Sequence, residues 1–244
     1  MKPYETLGVC YCDTCSVLLP TKTKCQTDGR YIFCDPCSKK RKNQMKLTTR
    51  PFRYQRKGIR TIDHFNGRCL VADEMGLGKT LQSLGWAIKA HQFPMVVVCP
   101  ASLKLNWQRE VHLHTHGVTS NVLYGRTPSE YIQQDDITII NYDILGGWLE
   151  YIKKLKPQTI VLDECQAVSN PGTKQSKNVK KMCKGIPNIL GLSGTPFTNR
   201  PGELFPILQL IRPDIYNSFM GYAWKYCQPK KKPWGWEYKG AKDL

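Results

Sequence analysis

The sequence predicts an α/β fold with a parallel, doubly wound sheet, preceded by a small cysteine-rich module. Three observations predict it. From residue 51 onward, short apolar runs alternate with helix-like segments, as they do in chains of β-α units. The stretch VADEMGLGKT at 71–80 looks like a phosphate-binding loop between a strand and a helix. Six of the 11 cysteines fall within the first 37 residues, and such clustering is typical of a metal-binding module.

Residues 1–38 are predicted to form a zinc-binding module. CDTC and CDPC are two Cys-x-x-Cys pairs separated by 18 residues, a spacing that fits zinc sites. Four thiolates complete a tetrahedral shell, so the site would be structural. The candidate ligands are Cys12, Cys15, Cys34 and Cys37, and Cys10 could replace Cys12. The pattern leaves open whether the module binds nucleic acid or another protein.

A basic linker is predicted at 39–50, and the sheet begins after it. Strands are predicted where short apolar runs are bounded by polar or turn residues: 69–72, 95–99, 121–124, 137–141, 159–162 and 189–192. Helices are predicted between and after these strands: 79–91, 103–113, 147–155, 173–184 and 202–211. In a doubly wound sheet, ligands bind at the carboxyl ends of the strands.

The charge of the chain favours a polyanionic partner. Its 36 Lys+Arg residues against 19 Asp+Glu give a formal net charge of +17, and basic side chains on phosphates release condensed counterions. A basic protein without such a partner is the alternative. No apolar run approaches the roughly 20 residues that span a bilayer, and no secretory signal is found. We therefore expect an intracellular protein without a membrane partner. It would act in the nucleus if it is eukaryotic and in the cytoplasm if it is bacterial or viral.

The glycine-containing loop carries most of the residues that a nucleotide site needs. Gly76 and Gly78 would let backbone N–H groups approach phosphate oxygens, and the following helix N-terminus favours anions. Lys79 would reach the β and γ phosphates, and Thr80 would offer its hydroxyl to magnesium. The strict pattern G-x-x-x-x-G-K-[ST] requires glycine where this chain has Asp73. Taken alone, the stretch therefore also fits an ordinary turn.

A second apolar strand ends in two acidic residues. TIVLDECQ at 159–166 places Asp163 and Glu164 directly after the predicted strand. Beside a phosphate loop, Asp163 would bind magnesium, and Glu164 would orient and deprotonate the attacking water. The combination predicts a nucleotide hydrolase whose catalytic residues are Lys79, Asp163 and Glu164.

Taken together, these residues resemble the first RecA-like lobe of Swi/Snf-type ATPases, a branch of the superfamily-two helicases. The phosphate loop of that family usually reads DEMGLGKT, as at 73–80 here, so the missing glycine follows the family's own pattern. RYQRKGI at 53–59 resembles the family's adenine-binding motif. The resemblance implies that ATP is the nucleotide and that Gln55 binds the base edge, with Phe52 or Tyr54 nearby.

Two further segments resemble parts of the family that lie beside DNA. VVVCPASLKLNWQREV at 96–111 resembles motif Ia, with Pro100, Ser102 and Trp107 in place. ITIINYDIL at 137–145 resembles the next DNA-side segment. The resemblance implies that both segments line a DNA track.

Motif III and motif II follow the family with one departure. GLSGTPFTNRPGELF at 191–205 resembles motif III, in which Ser193, Gly194 and Thr195 would couple the nucleotide state to the DNA side. Motif II commonly ends in histidine in the family, whereas this chain has Gln166. Glutamine can form hydrogen bonds but cannot titrate as histidine does. The substitution therefore concerns how efficiently the nucleotide state would be coupled to the DNA side.

The C-terminal stretch at 226–244 resembles the segment after motif III in annealing helicases, the distal Swi/Snf branch that rewinds DNA and remodels stalled forks. This resemblance would place Trp234, Trp236 and Tyr238 near a DNA junction. Aromatic residues packed beneath a loop are an equal alternative. The lysines at 230–232 could contact phosphate or simply be solvated.

The resemblance covers 51–244 and implies the ATP-binding lobe of a DNA-dependent ATPase, of the chromatin-remodelling or DNA-repair type, that moves on double-stranded or branched DNA. Such motors need a second RecA-like lobe, which supplies an arginine finger. No motif of that lobe is found, so we expect a fragment or half of a two-lobe motor, with the second lobe in cis or in trans. The isolated chain would then bind ATP–magnesium weakly and hydrolyse it poorly. A non-catalytic zinc-containing adaptor that binds nucleic acid or protein, with an inactive ATPase lobe, is the alternative.

Overall fold

The computed structural model describes residues 44–128, 135–196, 200–233, 235–238 and 240–241, together with four two-residue strands nearer the N-terminus. Those strands form two antiparallel pairs: β1 (Cys10–Tyr11) with β2 (Leu18–Leu19), and β3 (Gln26–Thr27) with β4 (Ile32–Phe33). The predicted zinc ligands Cys12, Cys15, Cys34 and Cys37 lie outside the described residues, so the zinc site stays a prediction. Among the described residues, no helix is both long and apolar enough to cross a membrane.

A six-stranded parallel sheet forms the centre of the fold. Its strands in chain order are β6 (Arg68–Val71), β7 (Met95–Cys99), β9 (Ser120–Val122), β10 (Ile137–Asn141), β11 (Thr159–Asp163) and β12 (Asn188–Leu192). They lie side by side in the order β6-β12-β11-β7-β10-β9. A separate short ribbon pairs β5 (Lys46–Leu47) with β8 (Thr115–His116). The predicted parallel sheet is confirmed. The predicted strands 95–99 and 137–141 match residue for residue, and the other four differ by one or two residues at one end or at both.

Helices cover both faces of this sheet. One face carries α1 (Arg53–His64), α2 (Lys79–Ala90) and α3 (Lys104–His114), and the other carries α4 (Leu145–Leu155), α5 (Lys174–Cys183) and α6 (Phe205–Ile211). Along β7, Val97 packs in the core of the first face, whereas Val96 and Val98 pack in the core of the second. Central parallel strands are buried on both sides, which is why they appear in the sequence as unbroken apolar runs.

Four of the predicted helices match α2 to α5 to within two residues, and the fifth differs. The predicted helix 202–211 is a 3₁₀ turn at Pro201–Leu204 followed by α6. Pro206 lies in the first turn of α6, and proline is tolerated there but not in a helix interior. The sequence did not predict α1, α7 (Phe219–Tyr226) or the hairpin of β13 (Lys230–Lys232) and β14 (Gly235–Glu237).

Candidate nucleotide site

The carboxyl ends of three neighbouring strands carry the predicted functional residues. The glycine-containing loop follows β6, the motif III segment follows β12, and Asp163 ends β11. In the sheet register, Asp163 is the partner of Leu192, and Leu192 is the partner of Val71. Because these parallel strands end level with one another, the loop and the acidic pair share one edge of the sheet.

Lys79 is hydrogen-bonded to the backbone of the loop. Its Nζ donates hydrogen bonds to the carbonyl oxygens of Asp73 at 2.8 Å and Glu74 at 3.0 Å. Burial raises the pKa of Asp163, and the positive charge of Lys79 is one of the smaller influences that oppose this rise. A Cβ built on Gly194 would lie 3.6 Å from Lys79 Nζ. The lysine is therefore next to both motif II and motif III.

Gly76 and Gly78 adopt conformations that other residues rarely accept. Their φ angles are +79° and +70°, in the left-handed region that favours glycine. No described atom lies within 4 Å of a Cβ built on Gly76, so the loop has open space at this point for a phosphate group. A Cβ on Gly78 would instead overlap the side-chain nitrogen of Gln55.

Asp73, which replaces the usual first glycine, is anchored to α2. Gln82 Nε2 donates to Asp73 Oδ2 at 2.7 Å, and Gln82 is fully buried. A Cβ on Gly58 of α1 would overlap Gln82 Oε1, so Gly58 leaves the room that this glutamine occupies. The sequence analysis missed both Gly58 and Gln82. No sequence signal pointed to either residue, because α1 was not predicted and the contact forms only where α1 packs on α2.

Gln55 supports the loop instead of presenting a free amide. It is 5% exposed; its Oε1 accepts from the Phe52 backbone N–H at 2.9 Å, and its Nε2 donates to the Leu77 carbonyl at 3.2 Å. Binding of the base edge by Gln55 stays a prediction, and Gln55 would have to exchange one of these bonds. The rings of Phe52 and Tyr54 stack 5.9 Å apart beside it and are 68% and 44% exposed, so an apolar surface for a base is present.

Asp163 is held in place by three donors. The Trp107 indole N–H donates to Oδ2 at 2.7 Å, the Glu164 backbone N–H donates to Oδ1 at 3.1 Å, and the Tyr142 hydroxyl donates to the Asp163 carbonyl at 2.8 Å. Burial raises the pKa of Asp163, and the Trp107 hydrogen bond opposes that shift.

Trp107 and Tyr142 come from the two segments expected to line the DNA track, but both side chains are buried. Their polar atoms bind Asp163, so these two side chains support the acidic pair, and a DNA track along the two segments stays a prediction. Aromatic residues that must satisfy an N–H or O–H inside a core commonly find a polar partner there.

A chain of hydrogen bonds joins motif II to motif III. Gln166 Nε2 donates to Glu164 Oε2 at 2.8 Å, and Ser193 Oγ donates to Gln166 Oε1 at 2.7 Å. Ser193 Oγ in turn accepts from the Thr195 backbone N–H at 3.0 Å. Gln166 thus uses both ends of its amide, and its replacement of histidine keeps the two motifs connected.

The oxygen atoms at this edge fit a magnesium ion. Asp163 offers a carboxylate and Thr80 a hydroxyl, and magnesium prefers a few protein oxygens together with water and phosphate. Each carboxylate oxygen of Asp163 accepts one protein hydrogen bond and has two lone pairs. Among the described ion pairs, none involves Asp163. In the same part of the chain, no cluster of three or more His, Cys, Asp or Glu side chains could hold a metal ion.

The C-terminal hairpin packs against α7. Trp236 contacts Trp224 edge-on with ring centres 5.1 Å apart and is 45% exposed. The Tyr238 hydroxyl lies 3.3 Å from the sulfur of Met220. Trp234 lies outside the described residues. A position of these aromatics near a DNA junction stays a prediction.

Comparison with known proteins gives consistent matches. The family model described as SNF2-related domain matches residues 54–242. The Xenopus laevis SWI/SNF-related matrix-associated actin-dependent regulator of chromatin subfamily A-like protein 1 is 33% identical over 199 residues, which cover 78% of this chain and 20% of that protein. The Bos taurus DNA annealing helicase and endonuclease ZRANB3 is 29% identical over 211 residues, or 82% of this chain and 20% of that protein.

Among solved structures, the Sulfolobus solfataricus SWI2/SNF2 ATPase core in complex with dsDNA superposes with a TM-score of 0.65 at 30% identity. The match covers 75% of this chain and 40% of that one. The chain spans about a fifth of the length of the Xenopus laevis and Bos taurus relatives.

Proposed function

The chain belongs to the SNF2-related family, and from this premise we propose that it is the ATP-binding lobe of a DNA-dependent ATPase that drives movement along duplex or branched DNA. One observation carries the proposal: the loop with Lys79 follows β6 and the acidic pair Asp163–Glu164 lies at the end of β11, and these parallel strands end level at one edge of the sheet with only β12 between them. A phosphate-binding lysine facing a magnesium-binding carboxylate is the arrangement that phosphoryl transfer requires.

The nucleotide would take over the hydrogen bonds that now close the loop. Lys79 would leave the carbonyls of Asp73 and Glu74 and bind the β and γ phosphates instead. Gly76 would supply space beside the phosphates, and the N-terminus of α2 would add its favourable dipole. Phe52 and Tyr54 would cover the base.

The acidic pair would divide two tasks. Asp163 and Thr80 would hold magnesium, which when bound neutralises charge on the phosphates. Glu164 would orient the attacking water and accept its proton. Gln166 holds one oxygen of Glu164, which leaves the other for that water. Trp107 and Tyr142 would keep Asp163 in position during these steps.

Duplex DNA is the proposed partner. Support comes from the net charge of +17, from the name of one relative as a DNA annealing helicase and from the complex of the structural neighbour with dsDNA. A second RecA-like lobe, in cis or in trans, would supply the arginine finger, which is worth roughly 10³–10⁵ in rate in related machines. An intracellular site of action follows from DNA as partner, the nucleus in a eukaryotic host and the cytoplasm in a bacterial or viral one.

The N-terminal module is proposed to bind zinc through Cys12, Cys15, Cys34 and Cys37. The first Cys-x-x-Cys pair lies in sequence between β1 and β2, and the second directly follows β4. Short antiparallel strands next to each pair, in a segment of about 40 residues, are consistent with a module that needs a metal to fold. We assign this module a targeting or docking role. About one zinc per chain is expected by elemental analysis, and a metal-free native protein would remove the module from the proposal.

Nucleotide binding and hydrolysis test the proposal directly. We expect Lys79→Ala to abolish binding of a fluorescent ATP analogue with magnesium. Glu164→Gln should retain binding but lose 10²–10⁴-fold in hydrolysis, the usual contribution of a general base. Lys89→Ala is the matched control, because this lysine lies on the same helix but pairs with Asp63. Rates should be measured with and without duplex DNA and with an added second lobe. Equal ATP binding by the Lys79→Ala variant and the wild type would favour the zinc-containing adaptor instead.

A further inference from the structure

We infer that the outer face of α1 is a binding surface for DNA phosphates, a contact separate from the two segments at 96–111 and 137–145 that are expected beside DNA. The inference rests on the proposed function, because it takes DNA as the partner. It concerns four residues, Arg53, Arg56, Lys57 and Arg60, called the α1 cationic face below.

The spacing of these residues places them on one side of the helix. Positions i, i+3, i+4 and i+7 lie on the same face of an α-helix. All four side chains are exposed, whereas the buried residues of α1 are Gln55, Ile59 and Ile62. The helix therefore packs on the domain through one side and presents an almost purely cationic opposite side.

No carboxylate within the described residues neutralises this face. None of the ion pairs there involves Arg53, Arg56, Lys57 or Arg60. The single acid of α1 is Asp63, and Lys89 of α2 holds it at 2.8 Å. The first turn of α1 contains no acidic residue.

This charge arrangement opposes helix stability. Cations near a helix N-terminus are repelled by the positive end of the helix dipole, and Arg53 is the first residue of α1. Like charges three or four residues apart also repel each other, and the face contains four such pairs. A set of residues that weakens its own helix is better explained by a partner that carries the opposite charge.

The chemistry of the face fits nucleic-acid phosphates. Three of the four cations are arginines, whose planar guanidinium groups can bind phosphate oxygens through two hydrogen bonds. Seven helical steps of 1.5 Å separate Arg53 from Arg60, or about 10 Å along the axis. That length equals the rise of about three base pairs. The structural neighbour of this chain was solved with dsDNA, which favours DNA over an acidic protein or an anionic membrane.

The inner side of the same helix touches the phosphate loop. Gln55 donates to the Leu77 carbonyl, and Gly58 makes room for Gln82, which anchors Asp73. DNA on the outer side of α1 would therefore lie only one helix diameter, about 10 Å, from the residues that support the loop.

The salt dependence of DNA binding tests the inference. The variant carries Arg56→Gln, Lys57→Gln and Arg60→Gln, and it spares Arg53 because that residue starts the helix beside Phe52. The control carries Lys174→Gln, Lys177→Gln and Lys181→Gln, three exposed lysines on one side of α5, on the opposite face of the sheet. Both variants lose three positive charges.

Binding of a fluorescein-labelled 30-base-pair duplex should be followed by anisotropy at several NaCl concentrations. Each lost phosphate contact lowers the slope of log K against log salt by about 0.9. We expect the α1 variant to lower the slope by about two to three and to weaken binding at least tenfold, and the α5 control to change the slope by less than one. Magnesium–ATP binding by both variants shows that the site is still folded.

The possible outcomes separate the inference from the proposed function. A wild-type chain that does not bind the duplex would overturn both. A wild-type chain that binds, with an α1 variant of equal slope, would overturn the inference alone. Equal losses in the two variants would show a net-charge effect and would also overturn it. Unchanged DNA binding with lost binding to an acidic peptide or to phosphatidylserine vesicles would assign the face to that other partner and refute DNA.

Discussion

The hydrogen bond from Trp107 to Asp163 can be removed with little other change. Trp107→Phe keeps an aromatic ring in the core and deletes the indole N–H that donates to Asp163 Oδ2 at 2.7 Å. The carboxylate would keep its bond from the Glu164 backbone at 3.1 Å, but the oxygen facing Trp107 would lose its protein donor. We expect this variant to bind magnesium–ATP less tightly, because Asp163 would no longer be held in one orientation.

The expected size of the effect follows from the type of bond. A hydrogen bond to a charged group contributes about 1.5–3 kcal/mol, and residues that orient metal ligands typically change metal affinity 10–100-fold. Trp107 is 1% exposed, so water cannot readily replace the missing N–H. The magnesium concentration for half-maximal binding of ATP should therefore rise at least tenfold. Binding of ATP in the presence of a chelator should change little, since Lys79 does not contact Trp107.

Trp148→Phe is the matched control. Trp148 is also buried, and its indole N–H donates at 3.0 Å to the carbonyl of Gly125, away from the acidic pair. Both variants lose the same volume and one indole hydrogen bond, and the free energy of unfolding should fall in both, more in Trp107→Phe because its bond goes to a carboxylate. Only Trp107→Phe should shift the magnesium titration.

Fluorescence of a labelled ATP analogue, titrated with magnesium, measures this shift without reference to catalysis, and manganese binding followed by electron paramagnetic resonance provides a second readout. If Trp107→Phe fails to fold, benzothienylalanine at position 107 keeps the shape of tryptophan and replaces only the N–H. An unchanged magnesium midpoint in either variant, or an equal shift in Trp148→Phe, would refute the positioning role.

Three further predictions concern other contacts. Gly58→Ala should destabilise the protein by about 1–2 kcal/mol, because displacing Gln82 from Asp73 costs about 1.5–3 kcal/mol and the helix regains up to about 1. The urea midpoint should fall, whereas Gly221→Ala should raise it, because a Cβ there would make only an ordinary contact with Ser218 Cβ at 3.9 Å. Gln166→Ala removes the hydrogen bonds to Glu164 and from Ser193. It should leave ATP binding intact and lower DNA-stimulated hydrolysis at least about tenfold, because the bond to the Glu164 carboxylate alone contributes about 1.5–3 kcal/mol; unchanged stimulation would show that the connection to motif III is not used. Burial raises the pKa of Cys99 to about 12, so iodoacetamide at pH 8 should not label this thiol in the native protein. Cys10 and Cys25, which are not proposed zinc ligands, should react first, and the four proposed ligands should react after zinc removal; rapid labelling of Cys99 in the native protein would contradict this.

Sequence patterns predicted the sheet well because its central strands have no exposed side. All five residues of β7 and of β10 are buried, so each strand is an uninterrupted apolar run with clear ends. Helix α1 gave no such signal, because only three of its 12 residues are buried and its other positions are mostly basic. The predictions for β7 and β10 were correct at both ends, and that for the equally buried β12 missed only its polar first residue, Asn188. The prediction for the edge strand β9 was off by one residue at its start and by two at its end.

The supporting residues of the site could not be predicted from the sequence because their contacts are distant along the chain. Trp107 lies 56 residues from Asp163, and a tryptophan in a motif expected beside DNA gives no indication that its N–H faces inward. Gly58 and Gln82 likewise acquire meaning only when α1 packs on α2. By contrast, Lys79 and Asp163 could be identified because the loop and the strand end have local patterns of their own.

The contacts of Asp73 explain how this loop dispenses with its first glycine. In the strict pattern, that glycine makes the turn adaptable. Here the carboxylate of Asp73 accepts a hydrogen bond from Gln82, which lies on α2, while the Asp73 carbonyl accepts one from Lys79. Release of the lysine to a phosphate would break only the second contact, so the start of the loop would keep its anchor when ATP binds. The aspartate thus replaces backbone freedom with a fixed attachment to α2, and that attachment depends on the space that Gly58 leaves for Gln82.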